Sequence, residues 1–274
     1  GSGVEYIYIS ENVEYIGTAA LASLNMKEIE VAESNSYYTC VNGFLIEDGG
    51  KLIAYATGYG ADKIVLPEEV TSVSQYAFAN LANAKEVEIP SSLTTIPKYV
   101  FENATGLESV IIAEGVTKIE MYAFRGCVGL ETVQFPDTLT SIGNSAFYNC
   151  VSLKNIVWPS DGSNLTINAS AFSYSGLESV ELPANVKSIG NYAFAYSKLL
   201  ESINIPENLT KTAQGMFNDC VSLKSIEIPE SITSIEFQTF SGCTSLSEVK
   251  VDGYVKIGGN VFLNCTSLEN FDFS

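Results

Sequence analysis

The sequence predicts a repeat solenoid that combines β-strands with short helical turns, an α/β fold built from stacked coils of about 23 residues. A phenylalanine recurs every 22 to 25 residues, apolar columns keep register with it, and a proline usually follows the strand-like part of the unit. The recurring residues are Phe78, Phe101, Phe124, Phe147, Phe172, Phe194, Phe217, Phe240 and Phe262. One unit buries too few side chains to fold alone, so neighbouring units are expected to stack.

The first element of each unit is predicted to be a strand. The stretch Ser225–Ile228 alternates polar and apolar residues, which is typical of a strand with one buried face. Seven of the eight prolines follow such stretches, and proline cannot continue a central ladder because it has no N–H group. We therefore expect one parallel sheet, with strands about 4.8 Å apart, on the concave face of the solenoid.

The second element is predicted to be a short helical or 3-10 turn on the opposite side, with the phenylalanine directed inward. Alanine often precedes the phenylalanine, and two positions after it come residue types that tolerate turn conformations. Those residues are Asn80, Asn103, Gly126, Asn149, Asp219, Gly242 and Asn264. The helical turn is expected to end there, before the chain enters the next strand.

The combined pattern resembles that of a known family. The frame LxxIxIPxxITxI at residues 223–235, and IGxxAFxxC at residues 142–150, are similar to the leucine-rich repeat variant of the BspA-like bacterial surface proteins. The resemblance covers the chain from about Val4. It implies a right-handed leucine-rich-repeat coil, and a secreted or surface-displayed protein of the adhesin type.

The chain is predicted to hold one domain. Residues 1–3 are interpreted as a cloning remnant and residues 4–274 as a single solenoid. Within it, residues 4–32 are a degenerate first repeat, residues 33–63 an inserted β-hairpin segment and residues 64–274 about nine regular repeats. The hairpin is predicted around Asp48, Gly49 and Gly50, because glycine permits the positive φ of tight turns. The insertion is expected either to cover or interrupt the solenoid, or to protrude towards a ligand.

Composition argues against several functions. The chain has 32 acidic and 14 basic residues, a net charge of −18, no histidine, and Arg125 as its single arginine. We predict no nucleic-acid partner, which would need clustered basic residues, and no membrane insertion, because no apolar run reaches about 18 residues. Without histidine the usual catalytic triads and the commonest metal ligand are missing. We therefore predict no enzyme activity, no cofactor and no metal site, with a carbohydrate-active enzyme using paired carboxylates as the remote alternative.

Two columns of side chains have a packing interpretation. Five cysteines lie three residues after a phenylalanine, and without a CxxC pair they are expected to be reduced and buried, whereas Cys40 lies in the insertion. These are Cys127, Cys150, Cys220, Cys243 and Cys265. Tyrosines two residues before a phenylalanine form a second column: Tyr76, Tyr99, Tyr122 and Tyr192. We expect them to pack between neighbouring turns, and the alternative is a platform for sugars.

The outward-facing residues of the strands are the predicted binding face, because solenoids commonly use the concave sheet for recognition. This face comprises Glu88, Ile111, Gln134, Val157, Glu181, Asn204, Glu227 and Lys250. Ile111 and Val157 are apolar, and an exposed apolar spot with a polar rim can be an interface. The alternative is an ordinary solvated surface.

The leading hypothesis is a non-enzymatic bacterial protein, extracellular or on the cell surface, that binds a host or matrix protein or a glycan. The chain does not open with a signal peptide, so this location is implied by the resemblance alone. The alternative is a spacer or stalk that presents another domain. Leu268, Phe271 and Phe273 are core positions with no coil after them, which makes end-to-end association through the C-terminal edge an expectation to test.

Overall fold

The computed structural model describes residues 4–22, 24, 26–67, 69–160 and 162–272. The predictions made for residues 1–3 and for Phe273 lie outside these ranges. The described residues form a solenoid in which strands one coil apart in sequence lie side by side. Their 3-10 helix is Thr57–Tyr59.

The strands, in chain order, are β1 (Tyr6–Ile9), β2 (Glu28–Val31), β3 (Tyr38–Val41), β4 (Phe44–Glu47), β5 (Lys51–Tyr55), β6 (Lys63–Val65), β7 (Ser72–Val73), β8 (Glu86–Ile89), β9 (Thr95–Ile96), β10 (Ser109–Ile112), β11 (Lys118–Ile119), β12 (Thr132–Gln134), β13 (Ser141–Ile142), β14 (Asn155–Val157), β15 (Leu165–Ile167), β16 (Ser179–Val180), β17 (Val186–Ile189), β18 (Ser202–Ile203), β19 (Ser225–Ile228), β20 (Ser234–Ile235), β21 (Glu248–Val251), β22 (Lys256–Ile257) and β23 (Asn270–Asp272).

Strands at the predicted positions form parallel ladders in the register of the repeat. Val110 lies opposite Val87 on one side and Val133 on the other. The prediction of a single sheet is wrong, because these ladders form separate groups, β1-β2, β6-β8-β10-β12-β14, β16-β18 and β19-β21-β23. The break after β14 coincides with a coil that is two residues longer, since Phe147 and Phe172 are 25 residues apart.

A second set of short parallel strands was not predicted. It is formed by β9, β11, β13, β15 and β17, and again by β20 and β22, further along each coil. In each of β9, β11 and β13 the polar residue is followed by a buried isoleucine: Ile96, Ile119 and Ile142. Two residues are too few to show the alternation by which a strand is recognised in a sequence.

The prediction of helical turns around the phenylalanines is wrong, and backbone geometry explains why. The residues two positions before each phenylalanine have positive φ, between 52° and 64°. They are Tyr76, Tyr99, Tyr122, Ser145, Ser170, Tyr192, Gly215, Gln238 and Asn260. A right-handed helix cannot contain such residues. Alternate N–H groups bond between coils, as when Phe101 donates to the Ala123 carbonyl at 2.8 Å. The N–H groups in between make turn bonds within the coil, as when Glu102 donates to the Tyr99 carbonyl at 3.1 Å.

The residues predicted to end the turn, two positions after each phenylalanine, do adopt the left-handed conformation. The seven named from the sequence have φ between 56° and 79°. Tyr174 and Tyr196 occupy the same position with φ of 59° and 62°. Each such turn therefore contains two left-handed residues, one on either side of the phenylalanine.

The phenylalanines point into the core, as predicted, and the structure adds that they form one continuous stack there. From Phe78 to Phe262, neighbouring ring centroids are 5.0–6.0 Å apart and the ring planes differ by 4–22°. Such offset stacking adds to the hydrophobic gain from burying each ring. The stack joins the coils from 78 to 262 into one core.

The insertion lies inside the solenoid. β3, β4 and β5 are antiparallel, and β4 and β5 form a hairpin around Gly49 and Gly50, whose φ angles are 94° and 85°. Leu45 packs into an N-terminal core together with Ile9 and Ile29, whereas Phe44 packs into the main core. Because both faces of the hairpin are buried, it interrupts the stack of coils and does not protrude. The limits proposed at residues 32 and 63 stay a prediction.

Candidate binding face

Four of the predicted binding residues are direct neighbours across the first group of strands. Glu88 on β8 lies opposite Ile111 on β10, Ile111 opposite Gln134 on β12, and Gln134 opposite Val157 on β14. Val65 on β6 precedes them in the same column, opposite Glu88. We call these five outward side chains, Val65, Glu88, Ile111, Gln134 and Val157, the array face.

The array face alternates apolar and polar side chains. Val65 is 57% exposed, Ile111 37% and Val157 53%. Each lies two strands from the next, or about 9.6 Å, because adjacent strands are about 4.8 Å apart. Sequence reasoning missed Val65, although its place exactly one repeat before Glu88 is the signal that would have found it.

The other four predicted residues do not join this column. Glu181 and Asn204 directly follow β16 and β18, the strands of the next group, beyond the break after β14. The Asn204 side chain accepts a hydrogen bond from the Leu182 N–H at 2.6 Å and donates one to the Leu182 carbonyl at 2.9 Å. Asn204 therefore joins two coils, and its amide is already occupied.

Glu227 and Lys250 lie opposite each other on β19 and β21 and form an ion pair, with Nζ···Oε1 at 2.8 Å. Lys250 also contacts Asp252 at 3.2 Å. Hydrogen bonds that Lys250 donates to Glu227 and then to Asp252 raise the pKa of Lys250. These charges neutralise each other locally, so the C-terminal strands present less unpaired charge than the sequence suggests.

Glu88 is also paired. The Lys63 Nζ lies 2.6 Å from the Glu88 Oε1 and 2.7 Å from the Glu86 Oε1. Hydrogen bonds to Glu86 and then Glu88 raise the pKa of Lys63. With Glu88 held by a lysine, the unpaired members of the array face are Gln134 and the three apolar side chains.

A column just before the strands carries both signs of charge, and it forms ion pairs between coils. Lys85 pairs with Glu108 at 3.1 Å and Lys154 with Glu178 at 3.0 Å. All four side chains are more than half exposed. Such pairs contribute little individually, about 0–1 kcal/mol, and they mark a solvated edge of the solenoid.

The repeats of this chain match those of a known protein family. Residues 54–166 and 165–274 match the family model described as a BspA type leucine rich repeat region. The chain belongs to this family. No curated protein matches it.

Solved structures show the same fold for this BspA-type protein. A leucine-rich repeat protein from Bacteroides ovatus is 22% identical with a TM-score of 0.55, over 85% of this chain and 68% of that one. One from Eubacterium ventriosum is 24% identical with a TM-score of 0.61, over 90% of this chain and 59% of that one. At these identities the likeness concerns the fold alone.

The cysteine column of this BspA-type chain is buried as predicted, except that Cys265 is half-buried. The structure adds a hydrogen bond that the sequence did not suggest: the Cys127 thiol donates to the Phe101 carbonyl in the coil before, with Sγ···O at 3.1 Å. Cys150, Cys220, Cys243 and Cys265 repeat this bond. Burial raises the pKa of the Cys220 thiol to about 12, so this thiol is protonated and unreactive at neutral pH.

The tyrosine column packs between turns, as expected. Tyr76 stacks on Tyr99 at 4.8 Å and Tyr99 on Tyr122 at 5.1 Å, with planes within 20°. The Arg125 guanidinium lies 5.5 Å from the centre of the Tyr122 ring. The neighbouring rings cover both faces of Tyr99, so a sugar cannot stack on that ring.

A small cavity of about 20 Å³ lies between the first coil and the insertion, lined in part by Leu24, Met26 and Ile53. That volume suits a water molecule. Within the described ranges, no helix has the length and apolarity of a membrane span, and no three acidic or cysteine side chains are grouped so that they could hold a metal ion.

Proposed function

We propose that this protein is a non-enzymatic bacterial binding protein, secreted or displayed on the cell surface, and that the array face contacts a partner protein. One observation carries the proposal: Val65, Ile111 and Val157 are exposed and lie in a single column. Isolated exposed apolar residues are ordinary, but three in line at about 9.6 Å intervals form a ridge. The repeat's resemblance to those of surface proteins supports the location.

The chemistry of the array face suits a protein more than a glycan. Its unpaired side chains are three aliphatic groups and the amide of Gln134. Aliphatic side chains gain from contact with other apolar surface, at about 25 cal/mol per Å² removed from water. A glycan would need aromatic faces and several free polar groups, which this column does not offer. We therefore expect a partner with an apolar strip about 19 Å long, the length of four strand steps.

The proposal assigns no catalytic role to the carboxylates of this face. Glu86 and Glu88 lie two residues apart on β8, but both are bound to Lys63 on an open sheet. A glycosidase pair needs a sugar ring between two carboxyl groups, one of them able to donate a proton. A lysine held between the two occupies that position.

The test is a pair of double variants with equal chemistry in different places. Ile111→Asp with Val157→Asp places two charges on the array face, and Val151→Asp with Leu199→Asp places them at similarly exposed sites outside it. Binding is measured to immobilised collagen, laminin and mucin. We expect the first double variant to lose at least about tenfold in affinity for whichever of these binds the wild type, and the second to change less than about twofold.

Thermal unfolding of both variants checks that the solenoid is intact. Equal binding by the array-face variant and the wild type would refute the proposal. If the wild type binds none of the three, the spacer interpretation is favoured instead.

A further inference from the structure

The first two coils carry a patch of aromatic and acidic side chains. β1 and β2 pair in parallel, with Tyr6 opposite Glu28 and Tyr8 opposite Glu30. Both tyrosines are about half exposed, at 51% and 53%, and both carboxylates are exposed. Tyr59 of the 3-10 helix is 49% exposed. We call Tyr6, Tyr8, Glu28, Glu30 and Tyr59 the N-terminal patch.

Tyr59 belongs to this patch by proximity. Burial, followed by the influence of Cys40, Glu28 and Glu30, raises the pKa of the Tyr59 phenol. The N–H groups of Thr57 and Gly58 donate to the Met26 and Lys27 carbonyls, at 2.8 and 3.0 Å, just before β2, which fixes the segment carrying Tyr59 beside the start of that strand. The patch therefore combines three aromatic rings with two carboxylates on one surface.

A second pair of outward glutamates, in the regular repeats, shows how such a pair can be neutralised. Glu86 and Glu88 on β8 also point outward, two residues apart, and Lys63 on the preceding strand lies between them at 2.7 and 2.6 Å. Lys63 is aligned with Glu86 as Tyr6 is aligned with Glu28. In this repeat, an outward Glu-x-Glu strand is thus matched by a lysine from the coil before it.

In the first coil, Tyr6 occupies the position before its glutamate pair that Lys63 occupies before Glu86 and Glu88. No residue in the described part of the chain forms an ion pair with Glu28 or Glu30. Lys27 is engaged by Glu5 at 2.7 Å. The Tyr6 hydroxyl donates to the Glu30 Oε2 at 2.5 Å, and this bond raises the pKa of Tyr6 to about 12. The phenol orients Glu30 but adds no positive charge.

We propose that the N-terminal patch binds a lysine side chain on an extended segment of a partner protein, with its ammonium between Glu28 and Glu30. The exposed rings of Tyr8 and Tyr59 then cover the methylene stem and the face of the cation. Charge complementarity favours this occupant, since the molecule carries a net charge of −18 and attracts basic segments from a distance. The site lies outside the array face and does not depend on its function.

The probe is a fluorescein-labelled peptide of sequence Gly-Lys-Gly-Lys-Gly, followed by fluorescence anisotropy at low salt. Replacing Glu28→Gln and Glu30→Gln together is expected to weaken its binding at least about tenfold, because both partners of the ammonium are lost. Tyr8→Ser is expected to weaken it two- to fivefold, the size of a cation–π contact. The same peptide with acetylated lysines is expected not to bind.

The matched control is Glu11→Gln with Glu14→Gln. It removes the same charge from the neighbouring coil, at exposed residues outside the patch, and is expected to change binding less than about twofold. Equal weakening by both double variants would show unspecific attraction and overturn the proposal, as would unchanged binding in the Glu28 and Glu30 variant. Binding of neutral chitooligosaccharide that depends on Tyr8, with no binding of the peptide, would also overturn it.

The array-face variant separates this site from the one proposed above. Ile111→Asp with Val157→Asp is expected to leave peptide binding within about twofold, since these residues lie on other coils. Peptide binding that falls in this variant as much as in the Glu28 and Glu30 variant would place the lysine site on the array face and contradict its assignment to the N-terminal patch. Circular dichroism checks that each variant is folded.

Discussion

Single residues of the cysteine column serve packing and hydrogen bonding together. The thiol fills a small space beside the phenylalanine stack and donates to a phenylalanine carbonyl of the coil before. Ser197 holds the same position and makes the same bond to the Phe172 carbonyl at 3.1 Å. This position therefore requires a small side chain with one hydrogen-bond donor. It does not require the chemistry of sulfur.

The raised pKa of Cys220 predicts an alkaline loss of stability. Burial raises it from 9.0 to about 12, so the folded state favours the protonated thiol. The stability from this group is complete below pH 9.0 and is lost as the pH rises from 9.0 towards 12, because the unfolded thiol ionises first. Over that range the free energy of unfolding is expected to fall by roughly 1.4 kcal/mol per pH unit from this group.

Cys220→Ser supplies the comparison, because a serine does not ionise there and occupies the equivalent position at Ser197. Urea unfolding at pH 8, 9.5 and 10.5 measures both proteins. The stability of the wild type should fall faster with pH than that of the variant. Parallel pH profiles would show that Cys220 does not titrate as its burial implies.

Among the structural elements, the turns show most clearly what the sequence could and could not predict. Asn80 and Gly126 could be recognised as left-handed residues because asparagine and glycine tolerate that conformation. Tyr99 could not, since an aromatic residue with φ of 59° is unusual. Hydrogen bonds to the neighbouring coil make this conformation favourable. They are tertiary contacts, which form only when the coils stack.

The binding face also has features that the sequence predicts and features that it does not. The register of Glu88 and Ile111 follows from the 23-residue period, so the column could be predicted from spacing alone. Its break after Val157 could not, because it depends on whether the backbones of adjacent coils still pair. Nor could the capture of Asn204 by the Leu182 backbone, which depends on a side-chain geometry that spacing does not encode.

The hairpin of the insertion provides a test at this scale. Gly49 and Gly50 both have positive φ, but a Cβ on Gly50 would lie 2.2 Å from the Glu69 carbonyl oxygen, whereas a Cβ on Gly49 would meet nothing within 4 Å. Both alanine variants should be destabilised by about 1 kcal/mol of backbone strain. Gly50→Ala should lose about 2 kcal/mol more, because backbone must move to accommodate it.

Thermal or urea unfolding of the two alanine variants measures the difference. Gly49→Ala is the matched control, since it shares the turn and the sign of φ. Equal stabilities would mean that the hairpin is not held against residue 69. The result matters for the core, because this hairpin separates the N-terminal core from the main one.

At the scale of the whole molecule, the acidic excess dominates. The ion pairs between coils use lysines that are few in number, 14 basic residues against 32 acidic ones. Many carboxylates of the described residues form no ion pair, so like charges repel one another along the solenoid. This repulsion keeps molecules apart in solution, and it also opposes the compact state.

Salt is accordingly expected to stabilise the protein. Raising NaCl from about 20 mM to about 500 mM shortens the Debye length from about 20 Å to about 4 Å and screens the repulsion, while the exposed ion pairs lose little. The thermal midpoint at pH 7 should rise by several degrees. At pH 4.3, near the isoelectric point, the rise should largely disappear. A midpoint that falls with salt at pH 7 would show that the ion pairs outweigh the repulsion.

The regularity of the hydrogen bonds between coils has a consequence for how proteins with this repeat can evolve. Many of these bonds join residues 22 to 26 positions apart, and the ring stack repeats at the same interval. A gene that gains or loses one whole repeat therefore leaves each remaining residue with the kind of neighbour it already had. Loss of part of a repeat would instead set unlike columns side by side. Length is thus the property that such a lineage can change most freely, in steps of about 4.8 Å.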